Sequence, residues 1–212
     1  MFRDNKSLVD HLRRYGYVRS DKVYRAMLLV DRREFVPEDE REYAYADEPL
    51  PIGYGQTISA PHMVAIMLEL LDVDEGMNVL EIGTGSGYNA AILSVLVGGD
   101  GRVVTVERIK QLYEKAKKIL SKYKNIVCVL GDGSMGCEIY APYDRIIVTC
   151  GAPNIPKPLL EQLKEGGRMV IPVGGRYFQS LWVVDKKDGK IKKRYEGEVL
   201  FVPLIGEYGY RD

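Results

Sequence analysis

The stretch Val79-Leu80-Glu81-Ile82-Gly83-Thr84-Gly85-Ser86-Gly87-Tyr88 constrains the fold more than any other part of the chain. An apolar run that reads as a buried strand leads straight into alternating glycines, and a helical stretch, 88–97, follows at once. Glycine lets backbone turn through left-handed conformations without a Cβ penalty, so strand, glycine turn and helix in this order open a βαβ unit. The downstream sequence repeats the alternation. Strands are predicted at 78–82, 102–107, 126–130, 145–149 and 168–173, with helices at 88–97, 109–123 and 158–163. Near-continuous β-branched runs separated by helices describe an α/β fold: a doubly wound, Rossmann-like, mostly parallel sheet covered on both faces.

The flanks differ in style. Leu8, Leu12 and Tyr15, then Val23, Met27 and Val30, follow helical spacing behind candidate caps at Asn5 and Ser20, which predicts an N-terminal helical extension. In 47–62 Pro and Gly recur and no period survives, so this reads as an ordered loop opening a helix, with Ser59 as N-cap and Pro61 in the first turn. Met63, Ile66, Met67 and Leu70 supply that helix's apolar face. At the other end, 180–185 and 192–202 flank a Lys-Lys-Asp-Gly-Lys turn and predict an antiparallel hairpin closing one sheet edge. One domain is expected, divided into N-terminal helices and loop (1–77), βαβ core (78–173) and C-terminal hairpin (174–212).

Composition narrows the function classes. The 212 residues carry 30 Lys+Arg against 30 Asp+Glu, a formal net charge of zero, which argues against a polyanion partner such as nucleic acid. Three cysteines without a Cys-x-x-Cys pair and two histidines give neither a metal cage nor a disulfide framework. No signal peptide or membrane span is read, so a cytoplasmic protein without membrane partners is expected, working as a monomer.

Two ligands compete for the glycine turn. A dinucleotide fingerprint wants G-x-G-x-x-G, whereas the third glycine here arrives one residue early, at Gly87. Glu107, closing the next predicted strand, is placed to accept hydrogen bonds from a ribose diol. The Glu-x-Gly-x-Gly-x-Gly string resembles the first motif of the class I S-adenosylmethionine-dependent methyltransferases. Asp132-Gly133, the strand ending at Thr149 with Cys150-Gly151-Ala152, and Leu163 to Val170 with its paired glycines resemble later motifs of that superfamily. A nucleotide-binding module without catalysis, and a class I methyltransferase for RNA or a small molecule, are the competing readings.

The loop Gly53-Tyr54-Gly55-Gln56-Thr57-Ile58-Ser59-Ala60-Pro61-His62-Met63 is similar to the signature of the protein-L-isoaspartate O-methyltransferases. Val106-Glu107-Arg108, Gly131-Asp132-Gly133 and Phe201-Val202-Pro203-Leu204 stand in that family's order. One departure lies at Thr149-Cys150-Gly151-Ala152-Pro153, where family members often carry alanine and proline. An Asp/Asn-Pro-Pro-aromatic tetrapeptide, which orients the amine in nucleic-acid amino-methyltransferases, is absent there.

The resemblance implies S-adenosylmethionine as cofactor, isoaspartyl-containing peptides and proteins as partners, and methyl transfer to the free α-carboxylate, which starts repair through a succinimide. It makes Ser59 the candidate catalytic residue, a hydroxyl donating to the carboxylate, against the alternative of a plain N-cap. Gln56, Thr57 and Ile58 are expected to close over cofactor and peptide. His62 either donates to the substrate or only packs. For the cofactor it implies Glu81, Gly83, Thr84, Gly85, Ser86, Glu107, Asp132, Gly133 and Thr149. Within that set Glu107 takes the ribose diol, and Glu81 orients the turn or meets the methionine ammonium. Asp132 accepts from adenine's amine or forms an Asx turn. No metal is implied.

Overall fold

A computed structural model describes residues 2–211. The chain starts with helices α1 (Asn5–Arg14) and α2 (Asp21–Leu29), then 3-10 turns at Arg32–Phe35 and Glu38–Tyr43. Ser20 caps α2, accepting from Val23 N at 3.3 Å, as predicted. The cap of α1 is Asp4 instead of Asn5: its Oδ1 accepts from Ser7 N at 2.8 Å. Asn5 is buried one position further on, and its Nδ2 donates to Met27 O at 2.9 Å, tying α1 to the end of α2.

The segment predicted as loop contains a small antiparallel ribbon, β1 (Leu50–Gly53) and β2 (Gln56–Ile58). Tyr54 and Gly55 form its turn, with φ of 56° and 70°, a pair of positive φ values that suits the twist of a short hairpin. Helix α3 (Pro61–Leu71) follows with Pro61 in its first turn. Its N-cap is Ala60, without a side-chain cap, so Ser59 lies one position outside the helix and the expected cap is corrected.

Strands β3 (Asn78–Ile82), β4 (Arg102–Glu107), β5 (Ile126–Leu130), β6 (Tyr143–Val148) and β7 (Leu163–Gly175) are mutually parallel where they pair; β8 (Phe178–Lys187) and β9 (Lys190–Val199) are antiparallel. The spatial order is β5-β4-β3-β6-β7-β8-β9. Helices α4 (Tyr88–Val97), α5 (Lys110–Leu120) and α6 (Lys157–Gln162) make the crossovers. Alternate side chains of each strand enter opposite cores: Val79 and Val103 join the N-terminal helices, α4 and α5, while Leu80, Ile82, Val104 and Val106 join Leu159, Leu163 and Leu204 on the far face. α4 is apolar nearly all round because the sheet and α2 enclose it.

The C-terminal hairpin turns at Asp188 and Gly189, with φ of 53° and 68°, and β9 forms the outer edge. β9 stops at Val199, short of the predicted 202, because the chain leaves the edge and returns to the sheet centre. There Gly151 N donates to Val202 O and Leu204 N to Gly151 O, each at 2.8 Å. No helix among the described residues is long and apolar enough to cross a membrane.

Candidate active site

The chain runs outward from β3 through β4 to β5, then crosses to β6 on the other side of β3. The carboxyl ends of β3 and β6 therefore flank the topological switch point, where an open α/β sheet leaves a crevice. Gly83 and Thr149 stand at those two ends. Thr149 N donates to Ile82 O at 2.9 Å, and Thr149 Oγ1 to Gly83 O at 2.7 Å. Gly83, Gly85 and Gly87 all have positive φ, 94°, 53° and 88°. A Cβ on Gly83 would also lie 2.6 Å from Thr149 Oγ1. Turn conformation and packing thus require this glycine whatever the ligand.

Glu107 ends β4 beside the turn and is 7% exposed. Its Oε2 accepts from Gly85 N at 2.9 Å and its Oε1 from Ile109 N at 2.8 Å, so one carboxylate fixes both the glycine turn and the entry to α5. It lines a cleft with Ile82, Val106, Ile109 and Leu204 as apolar walls. Gln56, Thr57, Gly83, Gly85, Gly133 and Thr149 complete the predicted residues found there. A nucleoside fits this set: a fixed carboxylate for a ribose diol, apolar faces for a purine, and glycine backbone for close approach.

A second cavity adjoins the first, and the two share Thr57, Gly83, Gly85 and Thr149. It brings together Ile58, Ser59, Thr84 and Ser86 with Tyr88 and Asn89. The β1–β2 ribbon lays Thr57, Ile58 and Ser59 against the glycine turn, and the hydroxyl of Ser59 has no partner among the described residues. Asn89 donates through Nδ2 to Glu81 Oε1 at 2.8 Å, which leaves its buried Oδ1 without a partner. Asn89 lines this cavity, and a buried acceptor without a partner is an exception among polar groups.

Three predicted residues are placed otherwise. His62 lines neither cavity; Asp47 Oδ1 takes both its backbone N–H and its Nδ1 at 2.9 Å, and its ring packs 5.4 Å from Tyr17. Glu81 is fully buried under the turn, where Oε2 accepts from Thr105 Oγ1 at 2.5 Å, and Thr84 Oγ1 lies 2.6 Å from that same hydroxyl. Burial pushes its carboxyl up to about 7, against the Thr105 and Asn89 hydrogen bonds that hold it down. It braces the turn from beneath and lines neither cavity, a placement in keeping with the expectation that it orients the turn. Asp132 forms the Asx turn: Oδ1 accepts from Ser134 N and Ser134 Oγ, at 2.8 and 2.7 Å, while Oδ2 accepts from Glu207 N at 2.8 Å. Gly133 lines the cleft, and Asp132 beside it holds the Asx turn and the backbone of Glu207 at its edge.

One wall of the first cleft, Val202 to Ile205, was not expected as part of the site, although the Phe-Val-Pro-Leu string that begins at Phe201 is a sequence signal for it. Cys150 also lines that cleft, with its thiol pushed well up by burial and thus held as an uncharged apolar surface.

The sequence matches the model of the family described as Protein-L-isoaspartate(D-aspartate) O-methyltransferase (PCMT) over residues 3–209. A protein-L-isoaspartate O-methyltransferase of Methanopyrus kandleri is 58% identical over 214 residues, 99% of this chain and 95% of that one. Protein-L-isoaspartate O-methyltransferase 1 of Archaeoglobus fulgidus is 60% identical over 194 residues, 91% and 89% of the two chains. Among solved structures, a Plasmodium falciparum protein described as a protein-L-isoaspartate O-methyltransferase, in complex with S-adenosyl-L-homocysteine, superposes with a TM-score of 0.86. The identity is 31%, and 96% of this chain and 99% of that chain are covered. On this sequence match and this shared architecture, the chain belongs to the protein-L-isoaspartate(D-aspartate) O-methyltransferase family.

Proposed function

We propose that this chain methylates the free α-carboxylate of L-isoaspartyl residues in damaged proteins and peptides, with S-adenosylmethionine as the methyl source. The observation that carries this reading is the meeting of two cavities at Thr57, Gly83, Gly85 and Thr149. One suits a nucleoside; the other is lined by hydroxyls and suits a carboxylate. Bound S-adenosylmethionine supplies an electrophilic methyl on a sulfonium.

The chain's own residues then have limited work. Glu107 takes the ribose diol, while the backbone of Gly83 and Gly85 leaves room for the amino-acid arm. The α-carboxylate of an isoaspartyl residue has a pKa below about 4, so it is ionised at neutral pH and no general base is needed. Ser59 donates its hydroxyl to one carboxylate oxygen and leaves the other in line with the methyl. Thr57 and Ile58 close the seam and exclude water from the reacting charges. Gln56 belongs to the same lip, holding Tyr54 O through Nε2 at 3.3 Å. Asn89 Oδ1 accepts an N–H of the bound ligands. The ester product has a good leaving group, and the next backbone nitrogen closes a succinimide without the enzyme.

Under this reading the chain acts as a cytoplasmic monomer on isoaspartyl-containing polypeptides, with neither nucleic acid nor membrane as partner. Its charge balance of 30 against 30 suits a surface that meets substrates of either sign. Calorimetric titration tests the cofactor choice: S-adenosylhomocysteine is expected to bind and NADH not to. Binding of NADH alone would restore the dinucleotide reading.

A further inference from the structure

One wall of the nucleoside cleft is a strap from the far end of the chain, and the way it is fastened gives Asp132 and Ser134 a role in cofactor binding at one remove. Val202 to Ile205 line the cleft, and the strap continues through Gly206 to Tyr210 across the Asx turn that opens at Asp132. Two hydrogen bonds join the pieces: Glu207 N donates to Asp132 Oδ2 at 2.8 Å, and Tyr208 N to Ser134 Oγ at 3.0 Å. Ser134 is fully buried, and its hydroxyl donates in turn to Asp132 Oδ1 at 2.7 Å. Gly206 lies flush on this pair, since a Cβ there would sit 2.0 Å from Asp132 Oδ1 and 2.5 Å from Ser134 Oγ. The strap also closes on itself. Gly209 N donates to Gly206 O at 3.1 Å and Tyr210 N to Leu204 O at 2.8 Å, so Leu204, a wall residue, is held by a turn that the latch anchors.

We infer that the Asp132–Ser134 turn is a latch that positions the C-terminal strap as the wall of the cofactor cleft. Asp132 and Ser134 are then positioning residues, acting on the cofactor through Leu204 and Ile205. The inference rests on the cleft being the S-adenosylmethionine site. Physically, a wall residue contributes its buried contact area only while the strap is held. Opening the latch leaves the ligand to order the strap from its own binding energy, so affinity falls while the chemistry, once the cofactor is bound, is unchanged.

Residues 206–209 form a β-turn with Glu207 at its second position, where proline is favoured. Glu207→Pro therefore deletes the N–H that Asp132 accepts, leaves the carboxylate intact and preserves the turn. In the full chain, Glu207→Pro and Asp132→Asn are each expected to weaken S-adenosylhomocysteine binding about tenfold by calorimetry. The double variant is expected to be little worse than either single one, because both act on the same contact, which Asp132→Asn weakens and Glu207→Pro removes. The amide of Tyr208 should exchange with deuterium faster in both variants, while kcat at saturating S-adenosylmethionine stays at the wild-type value. If Asp132→Asn weakens binding and Glu207→Pro binds as tightly as wild type, Asp132 acts on the ligand directly and the latch is overturned. Faster exchange at Tyr208 with unchanged affinity in both variants overturns it as well, by showing that the strap is no wall. If the wild-type chain binds no S-adenosylhomocysteine, it is the functional reading beneath the inference that has failed.

Discussion

The carboxylate of Glu107 accepts the backbone N–H of Gly85 at 2.9 Å, so the acid at the end of one strand directly holds the glycine turn at the end of its neighbour. Glu107→Ala should therefore remove a ligand acceptor and loosen the turn together. A hydrogen bond to a charged group contributes about 1.5–3 kcal/mol, so cofactor affinity is expected to fall on the order of 10- to 100-fold. Glu107→Gln, which keeps one carbonyl acceptor, should fall between. Calorimetric Kd values for S-adenosylhomocysteine check both; unchanged affinity in Glu107→Ala would remove Glu107 from the site.

Ser59 separates function from capping because the cap of α3 is Ala60. Ser59→Ala is expected to leave the melting temperature and cofactor Kd near wild type while kcat falls by roughly one to two orders of magnitude, the loss of one oriented donor. Thermal unfolding and steady-state kinetics on one preparation decide it. A drop in melting temperature with unchanged kcat would return Ser59 to a structural role.

Glu81 predicts a pH signature. Its carboxyl is raised from an ordinary 4.5 to about 7 by burial, so the folded state holds a proton that the unfolded state has released. That contribution to stability is complete below the unfolded value and is lost as pH rises through about 7, a change of about 3 kcal/mol. Glu81→Gln has no such titration. The stability difference between Glu81→Gln and wild type, from urea unfolding at pH 5 and pH 8, should shift toward the variant by about that amount at the higher pH. Equal differences at both pH values would show that Glu81 does not titrate there.

Gly83→Ala meets two penalties: a φ of 94° and Thr149 Oγ1 at 2.6 Å from the new Cβ. Together they should cost about 2–4 kcal/mol in unfolding free energy. In a Thr149→Ala background the steric part is relieved and only the backbone part remains. Purely additive effects of the two substitutions would show that the side chains do not oppose each other.

What the sequence made legible was local. The β-branched runs and the glycine spacing encode strands, turn and helix over short stretches, and α4 begins and ends at the predicted Tyr88 and Val97. Acid placement at Glu107 was readable for the same reason. Pairings with distant partners were not. His62 is claimed by Asp47, 15 residues away, and Asp132 by Glu207, 75 residues away, and no local pattern reports either pairing. Asn5 passed for a cap because Asp4 beside it has the same chemistry, and only burial against Met27 tells them apart. The β1–β2 ribbon escaped notice because its strands are short and interrupted by Pro51, though Gly53-Tyr54-Gly55 was a turn signal in plain view.

Methyl transfer to the isoaspartyl α-carboxylate predicts that an ordinary aspartyl linkage is not a substrate. Two synthetic peptides of one sequence, differing only in an L-isoaspartyl or L-aspartyl linkage, should be incubated with the chain and methyl-labelled S-adenosylmethionine. Label is expected in base-labile ester on the isoaspartyl peptide and at background on its partner. Equal labelling of both peptides, or none of either, would contradict the assignment.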